Sequence, residues 1–569
     1  MKKLFFVFFL FISTLLKAQT PELFVNTINS PNRWVDSVFK KMSRAEKVGQ
    51  LFMVRAHTNL GNAYSDSVAK VIKKQHLGGV VFFQGGPQRQ AVLTNKYQSL
   101  SKTPLMIALD GEWGLGMRLD STISYPYQMT LGAVQDNNLI YRMGQQIAKD
   151  FKRLGIQINF APVMDVNNNP KNPVINYRSF GDNKYNVANK GIAYMSGLQE
   201  SGIFTTAKHF PGHGDTNVDS HYDLPLLNFS KERLDSLEMY PFKKAVEAGL
   251  SGVMVAHMNI PSLDNTPNLP STLSKPIVTN ILKNQIGFKG LVFSDAMDMK
   301  GVVKFFPNGE ADVRGLIAGN DVIELSQNSE RAIKLVKKSI RQHRLSWDDI
   351  DKKVRKILEA KYWMNLHKYQ PVETKKLVED LNRPESKVII QEIADAAVTV
   401  VKGAELFPLK NDFVRKTAIL SIGPKDPTAF SNQLKKSNPQ AMLFIVPKDI
   451  TTKELEAVKT ALKRYDQIIM SVHDTRTRPG GTLDYSNALK LFIADMASLN
   501  TISAVFANPY TIAGLPGIEK SKALIVGYQN SSEIQNAAAR VMQGVLKAKG
   551  KLPVTINAFF KNGDGMVMR

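Results

Sequence analysis

FTTAKHFPGHGDTNVDSHYDL, residues 204–224, starts as a short apolar run, turns charged at Lys208 and His209, and continues through Pro211, Gly212 and Gly214. Those three residues resist helix and permit a closely packed, irregular backbone. An apolar run ending in polar or charged residues recurs along the first part of the chain: Val48–Val54, Gly79–Phe83, Leu105–Leu109, Ile158–Val163, Phe204–Ala207, Gly252–Ala256, Leu291–Ser294 and Val322–Leu325. Helix-like segments separate these runs. Continuous apolar strands alternating with helices indicate a parallel sheet covered on both faces, and eight such units predict a closed (β/α)8 TIM-like barrel rather than an open doubly wound sheet. The charged residues after the runs, Arg55 and His57, Asp110, Asp165, Lys208 and His209, His257 and Asp295, then fall on one face, where barrels of this kind bind substrates.

From about Leu366 the pattern changes. A polar stretch leads into Val388–Ala397, spaced as an amphipathic helix, and a second strand series follows: Val398–Val401, Ala418–Ser421, Leu443–Val446, Ile468–Val472, Ile502–Val505 and Ala523–Val526. This predicts a smaller α/β sandwich domain with a mostly parallel sheet. The expected division is a signal peptide over 1–19, a catalytic barrel over 20–365, a linker and connecting helix over 366–396, the second domain over 397–557 and a tail over 558–569. The polar loop His473–Gly481 reads as a solvated loop that could border a site between the domains.

The leading segment, two lysines, an apolar run from Leu4 to Leu16 and a small-residue site near Ala18, has the layout of a cleavable secretory signal. The expectation is export, with no integral membrane span after its removal and a periplasmic location. The 569 residues include no cysteine, which removes disulfides and thiol chemistry. A net charge of +24 without a dense basic run interleaved with aromatics argues against a nucleic-acid footprint and is compatible with an acidic cell-wall polymer.

Residues 208–224 hold three of the nine histidines together with Asp215, Asp219 and Asp223. Three readings compete. Histidine and aspartate ligate metals, but helical ligand spacings such as HEXXH are absent. A glycine- and aspartate-rich loop also satisfies its own backbone. In Asp219-Ser-His221, finally, the carboxylate lies two residues from an imidazole it could orient for proton transfer.

KHFPGHGDTNVDSH closely resembles the corresponding stretch of the β-N-acetylglucosaminidases of glycoside hydrolase family 3. Ala108-Leu-Asp-Gly-Glu112, Asn159–Asp165, Tyr177–Gly181, Gly290–Met299 and Ala318–Ile323 follow in the family's order, and Gly550–Ile556 extends the likeness weakly into the second domain. The resemblance implies a retaining glycosidase without cofactor or metal, whose partner is a carbohydrate, terminal β-linked N-acetylglucosamine on muropeptides or chitin-like fragments. It makes Asp295 the nucleophile, His221 the acid/base and Asp219 its partner, with Asp110, Arg178, Lys208 and His209 holding the terminal sugar. For Lys208 and Arg178 the plainer reading is ion pairing with neighbouring acids. His213, Asp215 and Asp223 are assigned to loop structure; His257 and Asp165 lie on the right face without an assigned role. The sequence departs from the short family members at Gly111-Glu-Trp-Gly114, where Trp113 either stacks on sugar or packs under its loop. A β-glucosidase, another exo-glycosidase of the family, phosphorolysis by a histidine-assisted site and a noncatalytic glycan-binding protein are the competing readings.

Overall fold

The computed structural model describes residues 21–219, 222–409 and 415–567. The proposed signal segment and His221 lie outside the described residues. Eight strands, β1 (Phe52–Ala56), β2 (Gly79–Phe82), β3 (Met106–Leu109), β4 (Ile158–Asn159), β5 (Phe204–Phe210), β6 (Gly252–Val255), β7 (Leu291–Ser294) and β8 (Ile323–Glu324), pair in parallel in the order 7-6-5-4-3-2-1-8. A parallel bridge between Phe293 and Val322 joins β7 to β8 and closes the barrel. The strands are almost wholly buried because helices such as Gly61–Gln75, Asn137–Arg153 and Lys184–Gln199 pack outside them. Phe24, Phe204, Phe293 and Trp363 form an aromatic cluster with centroids 5.3 to 6.3 Å apart, tilted between Phe24 and Phe204 and edge to face in the other pairs.

Three of the strand boundaries that differ from the sequence reading have a clear cause. The first half of Val48–Val54 completes the helix Arg44–Gly49, and β1 starts at Phe52. β4 is cut to two residues, since Pro162 lacks the N–H a longer ladder requires, although Val163 still bridges to Lys208. β5 runs on through Lys208 and His209 to Phe210, because acids inside the barrel satisfy both charged side chains.

The second sheet contains β9 (Thr399–Lys402), β10 (Thr417–Gly423), β11 (Met442–Pro447), β12 (Gln467–His473), β13 (Thr501–Phe506) and β14 (Ala523–Val526), in the order 11-10-12-13-14-9. All pairs are parallel except the edge pair β14–β9. The order reverses between β10 and β12, which sends successive right-handed crossovers to opposite faces of the sheet.

The two units are stitched together through loops of the barrel. Gln529 Oε1 accepts from the Tyr127 amide at 2.9 Å and from Thr130 Oγ1 at 2.7 Å. The Tyr510 hydroxyl accepts from Asn167 Nδ2 at 3.0 Å, and Asn508 donates to Asn176. Residues 558–567 are also tied down: Asn562 donates to Asp182, and the Met566 amide reaches Val400 O. Among the described residues no helix is long and apolar enough to cross a membrane.

Candidate active site

The C-terminal ends of β3 and β5 build the floor of the barrel mouth. Lys208 Nζ lies 2.7 Å from Asp110 Oδ1 and 2.9 Å from Glu112 Oε1. Arg178, from the β4 excursion, forks onto Glu112 through Nη2 at 2.6 Å and Nε at 2.9 Å. Arg118 Nη2 donates to Asp110 Oδ2 at 2.6 Å. Burial alone would raise both carboxyls, yet Lys208 and Arg118 hold Asp110 well below the usual range, and Arg178 and Lys208 hold Glu112 at about 2. The ion-pairing reading of Lys208 and Arg178 thus holds, and the pairs fix these charged groups in place.

Asp165, after β4, is fully buried and organises the start of the β5 loop. Its Oδ2 lies 2.7 Å from His209 Nδ1, and its Oδ1 accepts the backbone amides of His209 and His213 at 3.2 and 2.7 Å. His209 Nε2 faces Arg178 Nη2 at 3.4 Å. Because an arginine only donates, that contact requires an unprotonated Nε2 and places the ring proton on Nδ1, toward Asp165. His213 takes a loop role: its Nδ1 meets Thr216 Oγ1 at 2.8 Å, and burial lowers it to about 4. Asp215 pairs with Arg233 and Asp223 with Lys304, as loop residues.

Asp295 follows β7, partly exposed at the mouth, with its own Oδ1 accepting the Ala296 amide at 2.7 Å. Beneath that turn, His257 is fully buried, with Nε2 donating to Ala296 O at 3.0 Å and Nδ1 meeting Thr272 Oγ1 at 2.7 Å. Both ring nitrogens are thereby engaged, so His257 supports the Asp295 turn from below. Asp219 is half-buried on the β5 loop, where its carbonyl accepts the Tyr222 and Asp223 amides. The described residues therefore bring Asp110, Arg178, Lys208, His209 and Asp295 to one barrel mouth; the Asp219–His221 pairing lies outside what they describe.

Trp113 is half-exposed and packs edge-on against Tyr127 with centroids 4.9 Å apart, and Tyr127 packs at the same distance on Tyr177. The His473–Gly481 loop reaches this aromatic wall. Arg476 pairs with Asp474 and donates to Thr482 O, bracing the loop, while Gly481 lies against Pro170 O so closely that a Cβ would fall 2.8 Å from it. Arg478 is exposed, ion-pairs with no acid among the described residues, and lies near enough to Tyr177 to oppose the burial that raises its hydroxyl to about 12.

Sequence reasoning passed over Glu112, Arg118 and Glu324. Glu112 was visible only as part of a motif, and Arg118 only as a residue eight positions beyond Asp110. Glu324 carried a signal of its own, an acid inside the apolar run Val322–Leu325.

Residues 44–360 match the model of the glycosyl hydrolase family 3 N terminal domain. The chain is 27% identical over 554 residues to a protein named beta-hexosaminidase A from Pseudoalteromonas piscicida, covering 86% of this chain and 91% of that one. It is 24% identical over 543 residues to a beta-N-acetylglucosaminidase/beta-glucosidase from Cellulomonas fimi, covering 92% and 95%. A solved family 3 beta-N-acetylglucosaminidase from Paenibacillus sp. str. FPU-7 superposes with a TM-score of 0.77 at 29% identity, over 91% of this chain and 99% of that one. A buried cluster of paired charges at the mouth of the barrel, in a chain whose match to the family model covers more than half its length, has one assignment: the chain belongs to glycosyl hydrolase family 3 and is a glycoside hydrolase.

Proposed function

We propose that the chain is a retaining exo-β-N-acetylglucosaminidase that releases terminal β-linked N-acetylglucosamine from cell-wall muropeptides or chitin-like oligosaccharides. The observation that carries this reading is the placement of Asp295 at the end of β7, on the same barrel mouth as the Asp110, Glu112, Lys208 and Arg178 cluster. Asp110 and His209 hold sugar hydroxyls, with Lys208 and Arg178 donating to sugar oxygens. The Asp295 carboxylate attacks the anomeric carbon while His221, oriented by Asp219, protonates the departing oxygen; His221 then takes a proton from the water that cleaves the glycosyl-enzyme. Two inversions leave the configuration of the sugar unchanged.

The test is proton NMR of the first product anomer from an aryl β-N-acetylglucosaminide. The β anomer is expected first, and the α anomer would overturn the mechanism. In His221→Ala, kcat is expected to fall by about 10²–10⁴; a loss of only a few-fold would remove His221 from the acid/base role. The dual name of the Cellulomonas fimi relative supports a second reading in which glucosides are also cleaved. Relative kcat/KM on aryl glucoside and aryl N-acetylglucosaminide separates the two.

The basic and apolar leading segment supports export over residues 1–19, and we place the mature protein in the periplasm. The division into a barrel over 20–365 and a second domain over 397–557, joined by 366–396, belongs to the same proposal.

A further inference from the structure

Glu324 is the last residue of β8, and every part of it except its carboxyl is accounted for. Its amide donates to Ser294 Oγ at 2.9 Å and its carbonyl accepts from the Met297 amide at 3.0 Å. Side chains alternate along a strand, and the preceding Ile323 points outward, its Cδ1 against Gly315 of the outer helix Glu310–Ala318. Glu324 therefore points into the barrel, at the end where Asp110, Lys208 and Asp295 also emerge. It is only 3% exposed, and its Oε1 has no hydrogen-bond partner.

The cations at the floor are committed: Lys208 is shared by Asp110 and Glu112, Arg178 is forked onto Glu112, and Arg118 is bound to Asp110. Burial first, then Asp110 and Asp295, pushes the Glu324 carboxyl far up, with Lys208 opposing. A protonated carboxyl carries one donor and one acceptor on adjacent oxygens, which suits a single sugar hydroxyl. An isolated buried polar group otherwise costs stability without return.

We propose that Glu324 is a specificity-determining residue, whose carboxyl at the barrel mouth hydrogen-bonds one hydroxyl of the terminal sugar. This rests on the glycosidase reading given above. It adds a sugar contact from β8 to those from β3 and β5, and it favours a pyranose bearing that hydroxyl over its deoxy or O-alkylated analogue.

The test is calorimetric titration of the full chain with N-acetylglucosamine, glucose and the 3-, 4- and 6-deoxy forms of whichever binds. Glu324→Leu keeps the volume and removes an unpaired buried acid, so its Tm is expected to equal or exceed that of the unaltered protein. Its affinity for the parent sugar is expected to fall about 10–30-fold, the range in which a site loses a paired substrate hydroxyl. One deoxy sugar should show no such loss, and Glu324→Gln, which keeps a donor and an acceptor, should recover most of the affinity. Unchanged affinity in Glu324→Leu, or an equal loss on every deoxy sugar, overturns the inference while leaving the glycosidase reading intact. Failure of the unaltered protein to bind either sugar overturns both.

Discussion

Glu112 takes both arms of the Arg178 guanidinium, at 2.6 and 2.9 Å, and shares the nearer oxygen with Lys208 at 2.9 Å. Removing one partner of such a cluster strands the rest, so Glu112→Ala is expected to lower stability by about 3–5 kcal/mol. Urea unfolding reads this as a lower midpoint. A change below about 1 kcal/mol would show that the floor relaxes freely.

Asp165 acts through His209. Asp165→Asn replaces an acceptor of the Nδ1 proton by an amide that can turn its NH2 toward the ring, releasing the tautomer in which Nε2 faces Arg178. We expect KM for an aryl N-acetylglucosaminide to rise about tenfold, with a smaller change in kcat. Equal kinetics in both proteins would leave Asp165 a purely structural residue.

Two buried histidines give the protein an acid-sensitive window. His213 and His473, both lowered by burial, sit at about 4 in the fold against 6.5 for a free imidazole. A depressed imidazole means that the unfolded chain binds more protons, so stability rises with pH across this window. The contribution is complete above pH 6.5 and is lost as pH falls toward 4, by up to about 3 kcal/mol for each histidine. Thermal melts at pH 7, 5.5 and 4.5 should show a progressive fall in Tm, shallower in His473→Gln; a flat profile to pH 4.5 would contradict it.

The loop from the second domain predicts how the leaving group is read. Arg478, exposed and without an acid partner among the described residues, lies near enough to Tyr177 to act on its hydroxyl. Arg478→Ala is expected to lower kcat/KM about 5–10-fold on a disaccharide whose leaving sugar carries a carboxylate, a loss of about 1–1.4 kcal/mol. On neutral chitobiose it should have no effect. Equal losses on both would place Arg478 in the scaffold and remove support for an anionic aglycone.

The barrel was legible in the sequence because strands buried on both faces are written as continuous apolar runs, and eight of them survive as strands. What the runs concealed was where polarity is tolerated inside. Lys208 and His209 read as a strand end, yet they belong to β5, because Asp110, Glu112 and Asp165 arrive from other strands to meet them. Glu324 read as part of a run, and only the outward turn of Ile323 reveals that it faces the pocket. His213 illustrates the limit in the other direction: composition grouped it with the loop's other histidines, while its role follows from burial against Asp165 and Thr216. Pairings across strands depend on closure of the barrel, which local spacing does not encode.

The most direct test of the account is hydrolysis of an aryl β-N-acetylglucosaminide by the purified chain, measured beside Asp295→Ala. The account predicts turnover by the first and a loss of at least about 10³-fold in the second, with equal Tm. Turnover surviving in Asp295→Ala within tenfold would contradict the assignment of Asp295 as the nucleophile.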